Sequence, residues 1–179
     1  MLAVATTARR SWYAEPVKPA PTAAPRWLDD TEMSAWRGYV ELIGALNSVM
    51  DAELAPFGLS VGDYEVLVNL SEAEHQHLRM CDLAARLRLS PSGLTRRLDG
   101  LVRAGLVSRV PSPDDRRAMF AALTDAGVAT LQAAAPDHLA SVRRHFVDLL
   151  TRDEIEHLAS AFTKVHAALA NEQNRPPCQ

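Results

Sequence analysis

Apolar residues along the chain fall into helical and strand-like stretches separated by turn chemistry. Trp36, Val40, Ile43, Leu46 and Met50 recur at spacings of three and four. That spacing predicts one buried stripe of an amphipathic helix. It opens at the D-x-x-E signal Asp29 to Glu32 and ends near Leu54, before Pro56 and Gly58. Ser60 with Asp63 makes a second start signal, followed by Tyr64, Leu67, Val68 and Leu70. A polar loop, residues 72–77, leads to a short third helix at about Met80 to Leu87. After the tight connection Arg88 to Leu89, Ser90 is an N-cap and Pro91 suits a first helical turn. The fourth helix runs to about Ala104, and Gly105 suits the residue that closes it. Residues 106–110 and 118–123 then read as two strands around the loop PSPDDRR, residues 111–117.

Thr124 caps a long helix carrying Val128, Leu131, Ala135, Leu139, Val142, Phe146 and Leu149, in which Pro136 predicts a kink. Thr151 with Glu154 opens the last helix, with Ile155, Leu158, Phe162, Val165 and Leu169 on one face. These two helices carry more apolar surface than a small domain needs to cover, and pairing with a second copy is the simplest use. Residues 1–28, with Pro16, Pro19, Pro21 and Pro25, read as a Pro/Ala-rich arm, and residues 172–179 as a tail. The predicted fold is mainly α with a small β-hairpin.

The fourth helix is two-sided. At 100° per residue Leu94, Leu98, Leu101 and Val102 share one face, and Ser92, Arg96, Asp99, Gly100 and Arg103 share the other, with Thr95 at the flank. Arg97 lies toward the apolar edge, where it would reach sideways to phosphate. A short helix, a tight turn and a helix with a polar outer face is the helix-turn-helix pattern, whose second helix enters the major groove of DNA. A hairpin directly after it makes a winged helix. Its loop residues Arg116 and Arg117 suit a minor groove, with Asp114 shaping the turn and holding an Arg. Asp99, at helical spacing from Arg96 and Arg103, is expected to pair with one of them and orient it.

Charge sharpens this picture. The chain of 179 residues has a net charge of -3, yet residues 79–117 hold nine Arg and four Asp. A local basic patch governs close contact with phosphates even when the far field is acidic. Residues 29–74 hold ten acidic residues against one Arg, so that half should face away from DNA. Without a run of 18 apolar residues no membrane span is expected. The two cysteines, Cys81 and Cys178, do not make a disulfide framework, and a reducing cytoplasm follows as the expected location. The sequence has no G-x-S-x-G, H-E-x-x-H, C-x-x-C or glycine-rich phosphate loop, so neither enzyme activity nor a cofactor is expected. His75 and His77, near Glu72 and Glu74, leave a metal-responsive sensor as an alternative, against a solvated loop. His138 and His145 share one helix face and read as surface or dimer-interface groups.

The segments GLSVGDYEVLVNL, RMCDLAARLRLSPSGLTRRLDGLVRAGLVSR and PSPDDRRAMFAALTDAG resemble the MarR family of bacterial transcriptional regulators, over roughly residues 30–171. The resemblance implies a MarR-type domain over 29–171: dimerisation helices at 29–54 and 125–171, and a winged helix-turn-helix at 60–123. It implies a homodimer on a pseudo-palindromic double-stranded DNA operator, acting as a repressor that a small-molecule effector releases. Ser90, Ser92, Thr95 and Arg96 then fall at positions that enter the major groove, and Asp114, Arg116 and Arg117 on the wing. Arg97 and Arg103 complete the expected DNA-binding set. Trp36, Arg37 and Asp63 are candidates to line an effector pocket between the dimer helices and the winged helix, although Trp36 also fits plain core and Asp63 a cap. The oxidation-sensing branch of the family carries a reactive cysteine in its first helix. Residues 30–54 contain none, and Cys81 reads as a packed or idle thiol. A winged-helix interaction module without DNA binding is the rival reading.

Overall fold

The computed structural model describes residues 25–111 and 119–173, with side chains described up to residue 170. The wing residues Asp114, Arg116 and Arg117, most of the arm and most of the tail lie outside the described residues. The chain divides into two units, Met1–Tyr39 and Val40–Gln179.

Within the first unit lies the start of helix α1, Asp30–Leu54. Its cap is reciprocal: the Glu32 amide donates to Asp29 Oδ1 at 2.8 Å, and the Asp29 amide to Glu32 Oε2 at 3.0 Å. Both orphan donors are satisfied, as the D-x-x-E pattern predicts. Trp36 and Arg37 are exposed.

In the second unit α1 closes in a 3₁₀ turn, Ala55–Phe57, and the chain reverses at Gly58 with a left-handed φ of 72°. Asp51 then accepts from the Val61 amide at 2.7 Å, which ties the end of α1 to the start of α2, Val61–Ser71. Strand β1, His77–Arg79, precedes α3, Met80–Arg86, and α4, Pro91–Arg103. Strands β2, Val107–Pro111, and β3, Met119–Leu123, complete an antiparallel sheet in the order β1-β3-β2. Helix α5, Asp125–His145, and helix α6, Arg152–Gln173, follow, joined through a 3₁₀ turn, Val147–Leu149.

Leu67, Leu70, Leu83, Leu94, Leu98 and Val107 are fully buried in one core shared by α2, α3, α4 and the sheet. Each leucine of that set removes an apolar side chain from water, worth about 1.5–3 kcal/mol. Thr124 caps α5 as predicted, its Oγ1 accepting from the Gly127 amide at 3.0 Å. The single proton of the same hydroxyl is shared between the Gly105 and Leu106 carbonyls, at 2.8 and 3.0 Å. Gly127 must stay small, because a Cβ there would collide with the Leu106 carbonyl and stand 2.8 Å from Leu123 Cδ1.

Four expectations change. The loop before α3 contains a third strand: after a 3₁₀ turn at Glu74–Gln76, β1 pairs with β3. The long helix, expected to carry Phe146 and Leu149, stops at His145, with Phe146 at φ -141°, ψ -65° and Leu149 in the 3₁₀ turn that follows. The apolar stripe of α1, expected to be buried, is open within one chain at Trp36, Val40 and Ile43, whereas the exposed Phe162, Val165 and Leu169 of α6 are the surplus apolar surface expected there. Cys81 is exposed rather than packed, its Sγ lying 3.6 Å from Asp82 Oδ1.

Candidate nucleic-acid interface

Helix α4 is built to be held on one side and open on the other. Ser90 Oγ accepts from the Gly93 amide at 3.1 Å and satisfies an orphan donor of the first turn. Pro91 follows at the first helical position, where its missing N–H costs nothing. Leu94, Leu98 and Leu101 lock the inner face into the core. On the outer face Ser92, Thr95, Arg96 and Arg103 are exposed. Ser92 Oγ lies 3.2 Å from Ser90 Oγ, and Thr95 Oγ1 donates to the Pro91 carbonyl at 2.9 Å. The Thr95 proton is thereby committed to the helix, on a side chain that is itself exposed.

The arginines of the expected set separate into different roles. Arg97 is half-buried and its guanidinium covers Gly62 of α2, where a Cβ would collide with it. The Arg103 Nε folds back to the Asp99 carbonyl oxygen at 3.1 Å. The exposed Arg96 makes no ion pair among the described residues.

Asp99 does not pair with Arg96 or Arg103 through its carboxylate. Its partner is Arg109 of β2, whose Nη2 donates to Asp99 Oδ1 at 2.8 Å and to the Thr95 carbonyl at 3.2 Å. Strand parity explains the placement. Val107 is buried, so Arg109, two residues on, points to the same inner face, toward α4. Sequence reasoning missed Arg109. The signal was available: a buried Val two positions before an Arg in a strand that follows the reading helix.

A second group was also missed. Glu53 at the end of α1 lies beside Arg144 and His145 of α5, each 3.4 Å from its Oε1. Ser141 is fully buried beside it, and Tyr64 of α2 meets the His138 ring with centroids 4.3 Å apart. Glu53 Oε2, His138 Nδ1 and Ser141 Oγ are buried without a well-formed hydrogen bond among the described residues. The Ser141 hydroxyl nonetheless holds the Glu53 carboxyl below its ordinary pKa, against desolvation, and His145 and Arg144 add to the shift. Burial lowers the pKa of His138, opposed by the Glu53 charge, and burial raises that of Tyr64. A cleft of about 300 Å³ adjoins, lined by Glu53, Asp137, Ala140 and Arg144. His138 and His145 are thus half-buried, His138 against Tyr64 of α2 and His145 beside Glu53 of α1.

The remaining candidates fall elsewhere. The Asp63 carboxylate is committed to the cap of α2, accepting from the Ser60 amide at 3.1 Å and the Ser60 hydroxyl at 2.6 Å. His75 and His77 stack with ring centroids 6.0 Å apart, and among the described residues no three His, Cys, Asp or Glu side chains gather to hold a metal ion. Among the described residues no helix is long and apolar enough to cross a membrane.

A helix-turn-helix whose reading helix is keyed to the first strand of a β-wing defines a winged helix-turn-helix protein. Residues 57–118 match the model of the MarR family. The chain is similar to AbsC, a MarR family transcriptional regulator from Streptomyces coelicolor, with 43% identity and a TM-score of 0.78, covering 82% of this chain and 99% of that one. It is similar to Sco3205, a MarR family regulator from the same organism solved in complex with DNA, with 34% identity and a TM-score of 0.78 over 82% of this chain and 92% of that one. The HTH-type transcriptional repressor YetL of Bacillus subtilis (strain 168) is 30% identical over 115 residues, 64% of this chain and 69% of that protein. The chain belongs to the MarR family.

Proposed function

We propose that this MarR-family chain regulates transcription as a homodimer bound to a pseudo-palindromic operator, and that it represses. The observation that carries the reading is the outer face of α4. Ser92, Thr95 and Arg96 are exposed on a helix that Leu94, Leu98 and Leu101 fix to the core and Arg109 fixes to the wing. A rigid helix with small polar residues beside one exposed Arg suits the major groove, where an Arg fork pairs with guanine O6 and N7. Ser90 and Ser92 let the helix approach closely. Arg97 and Arg103 flank it as phosphate contacts, and Arg116 and Arg117 are the wing residues assigned to the minor groove. Support also comes from YetL, named a repressor, and from Sco3205, crystallised with DNA.

Release by an effector completes the reading. The Glu53 cleft is lined from the end of α1 and from α5, beside the contact of His138 with Tyr64 of α2, so a ligand there would bias the angle between dimer helices and winged helix. Such a ligand shifts DNA binding only by as much as its affinities for the two states differ.

The test is sequencing of the DNA recovered with the protein, followed by binding of the recovered sites by the parent, Arg96→Ala and Arg116→Ala. Arg96→Ala should cost about 1–3 kcal/mol and relax preference at one base position. Unchanged affinity and salt dependence in both variants would sink the DNA reading and favour an interaction module.

A further inference from the structure

Arg79 stands at the junction between the sheet and the helix-turn-helix, outside the set already assigned to DNA. It is the last residue of β1 and the N-cap of α3, yet its side chain makes no capping bond. It is exposed, and no carboxylate pairs with it among the described residues. Its partner is a ring: the guanidinium carbon lies 5.9 Å from the centroid of Phe120. Register explains this, because Arg79 is directly opposite Phe120 in the β1–β3 pairing. Directly opposed residues share a sheet face and their side chains touch. His77, two residues earlier on that face, meets the same ring edge-on at 4.9 Å. Phe120 is therefore flanked by His77 and Arg79, and it belongs to the strand that returns from the wing tip.

A guanidinium over a ring at this distance makes a cation–π contact, and that contact leaves its five N–H donors available to oxygen acceptors. The contact also favours the rotamers that place the guanidinium over the ring, which lessens the entropy an exposed Arg would otherwise lose on binding. In helix-turn-helix docking the first helix crosses the sugar-phosphate backbone while the second enters the groove. Arg79 begins that first helix and rests on a wing strand.

We propose that Arg79, braced by Phe120, is a phosphate clamp that fixes the helix-turn-helix and the wing to the DNA backbone between their two groove contacts. It rests on the DNA-binding reading above. The clamp adds affinity without sequence information, since phosphates are the same at every site. It distinguishes Arg79 from Arg96, whose loss should be felt at one base pair.

The experiment is fluorescence anisotropy across a salt series with two duplexes: a site recovered with the protein, and a scrambled duplex of equal length and composition. Parent, Arg79→Ala, Arg79→Lys and Phe120→Leu are compared, with thermal melts to establish that each is folded. Arg79→Ala should weaken both duplexes several-fold by the same factor and make the salt slope shallower by about one unit. Arg79→Lys should restore the slope, because the charge returns, and only part of the affinity, because the guanidinium fork does not. Phe120→Leu should weaken both duplexes to a lesser extent than Arg79→Ala. Equal binding by parent and Arg79→Ala overturns the clamp, as does a loss confined to the recovered site. Phe120→Leu binding as the parent does overturns the bracing. If the parent binds neither duplex, the DNA reading fails first, and the two failures are separable.

Discussion

One side chain of the wing's first strand grips the reading helix on the turn that carries Arg96. Arg109 donates to the Asp99 carboxylate at 2.8 Å and to the Thr95 carbonyl at 3.2 Å, residues that bracket Arg96. The side chains are 31% and 50% exposed. An ion pair this open contributes at most about 1 kcal/mol to folding. Its effect should therefore appear in DNA binding, where a reading head must be held to within about 0.5 Å. Asp99→Asn and Arg109→Ala should each leave the melt within a few degrees of the parent and weaken operator binding several-fold. The double variant should bind no worse than the weaker single variant, since both remove one brace. A double-mutant cycle on operator affinity checks this, and additive losses would show that the pair does not act as a unit.

The two helices of the helix-turn-helix end in the same device with different residues. Leu89 N–H bonds the Ala84 carbonyl at 2.9 Å and Arg88 N–H the Ala85 carbonyl at 3.1 Å, while Leu106 and Gly105 repeat the pattern on Leu101 and Val102 at 2.9 and 3.0 Å. Each needs a left-handed residue, and the chain places Arg88 at φ 53° and Gly105 at φ 73°. A left-handed L-residue costs about 1–2 kcal/mol, and glycine's extra unfolded-state entropy returns about 0.5–1. Arg88→Gly should thus stabilise the fold by about 0.5–1 kcal/mol, and Gly105→Ala should destabilise it by a similar amount. Denaturant midpoints measure both. A loss of stability in Arg88→Gly would mean that its side chain contributes more than the strain costs.

This pair also shows what the sequence made legible. Gly105 announced the end of α4 because glycine is the usual left-handed residue. Arg88 announced nothing, and only the tight spacing before Ser90 marked the turn. The two-sided pattern of α4 was readable because its apolar residues meet a core within the same chain. The stripes of α1 and α6 were read equally well as periodicity, but periodicity does not say which chain covers them, and one chain leaves them exposed. Strand β1 was hidden because three residues with no clear alternation carry no local signal, and a partner forty residues away decides their structure. Asp99 was assigned to neighbours on its own helix because helical spacing is visible in sequence, whereas a contact to Arg109 depends on strand register. The Glu53 group escaped for the same reason: its members come from three helices.

Acid should weaken the fold in two separate windows. Burial lowers the folded pKa of His138 from 6.5, so as pH falls the unfolded chain takes up that proton first. Stability is therefore full above 6.5 and is lost as pH falls from there to the folded value. Glu53 and Glu154 have folded values lowered from 4.5, so their contribution is present above 4.5 and is lost as pH falls through those lower values. His138→Phe keeps a ring against Tyr64 and should remove the first window while leaving the second. Denaturant unfolding across the pH range checks it, and a near-neutral slope that survives in His138→Phe would assign the effect to another histidine.

The exposed face of α6 makes the sharpest demand on the dimer reading. Phe162, Val165 and Leu169 are 49%, 60% and 48% exposed at spacings of three and four. A continuous apolar face of this kind marks an interaction surface rather than scattered surface leucines. None of the three belongs to the buried cluster beneath α4. Phe162→Glu with Val165→Glu places two charges where a second copy would bury them, at a cost no dimer interface offsets without partners. The variant should sediment as a monomer and keep the far-ultraviolet circular dichroism of a folded winged helix. Operator affinity should fall by a factor on the order of 10²–10⁴, because the second half-site loses its effective concentration. Binding to an isolated half-site should change little, since each reading head is complete in one chain. A variant that stays dimeric would place the interface elsewhere. A monomer that still binds the full operator as tightly as the parent would show that spacing between two heads does not set affinity.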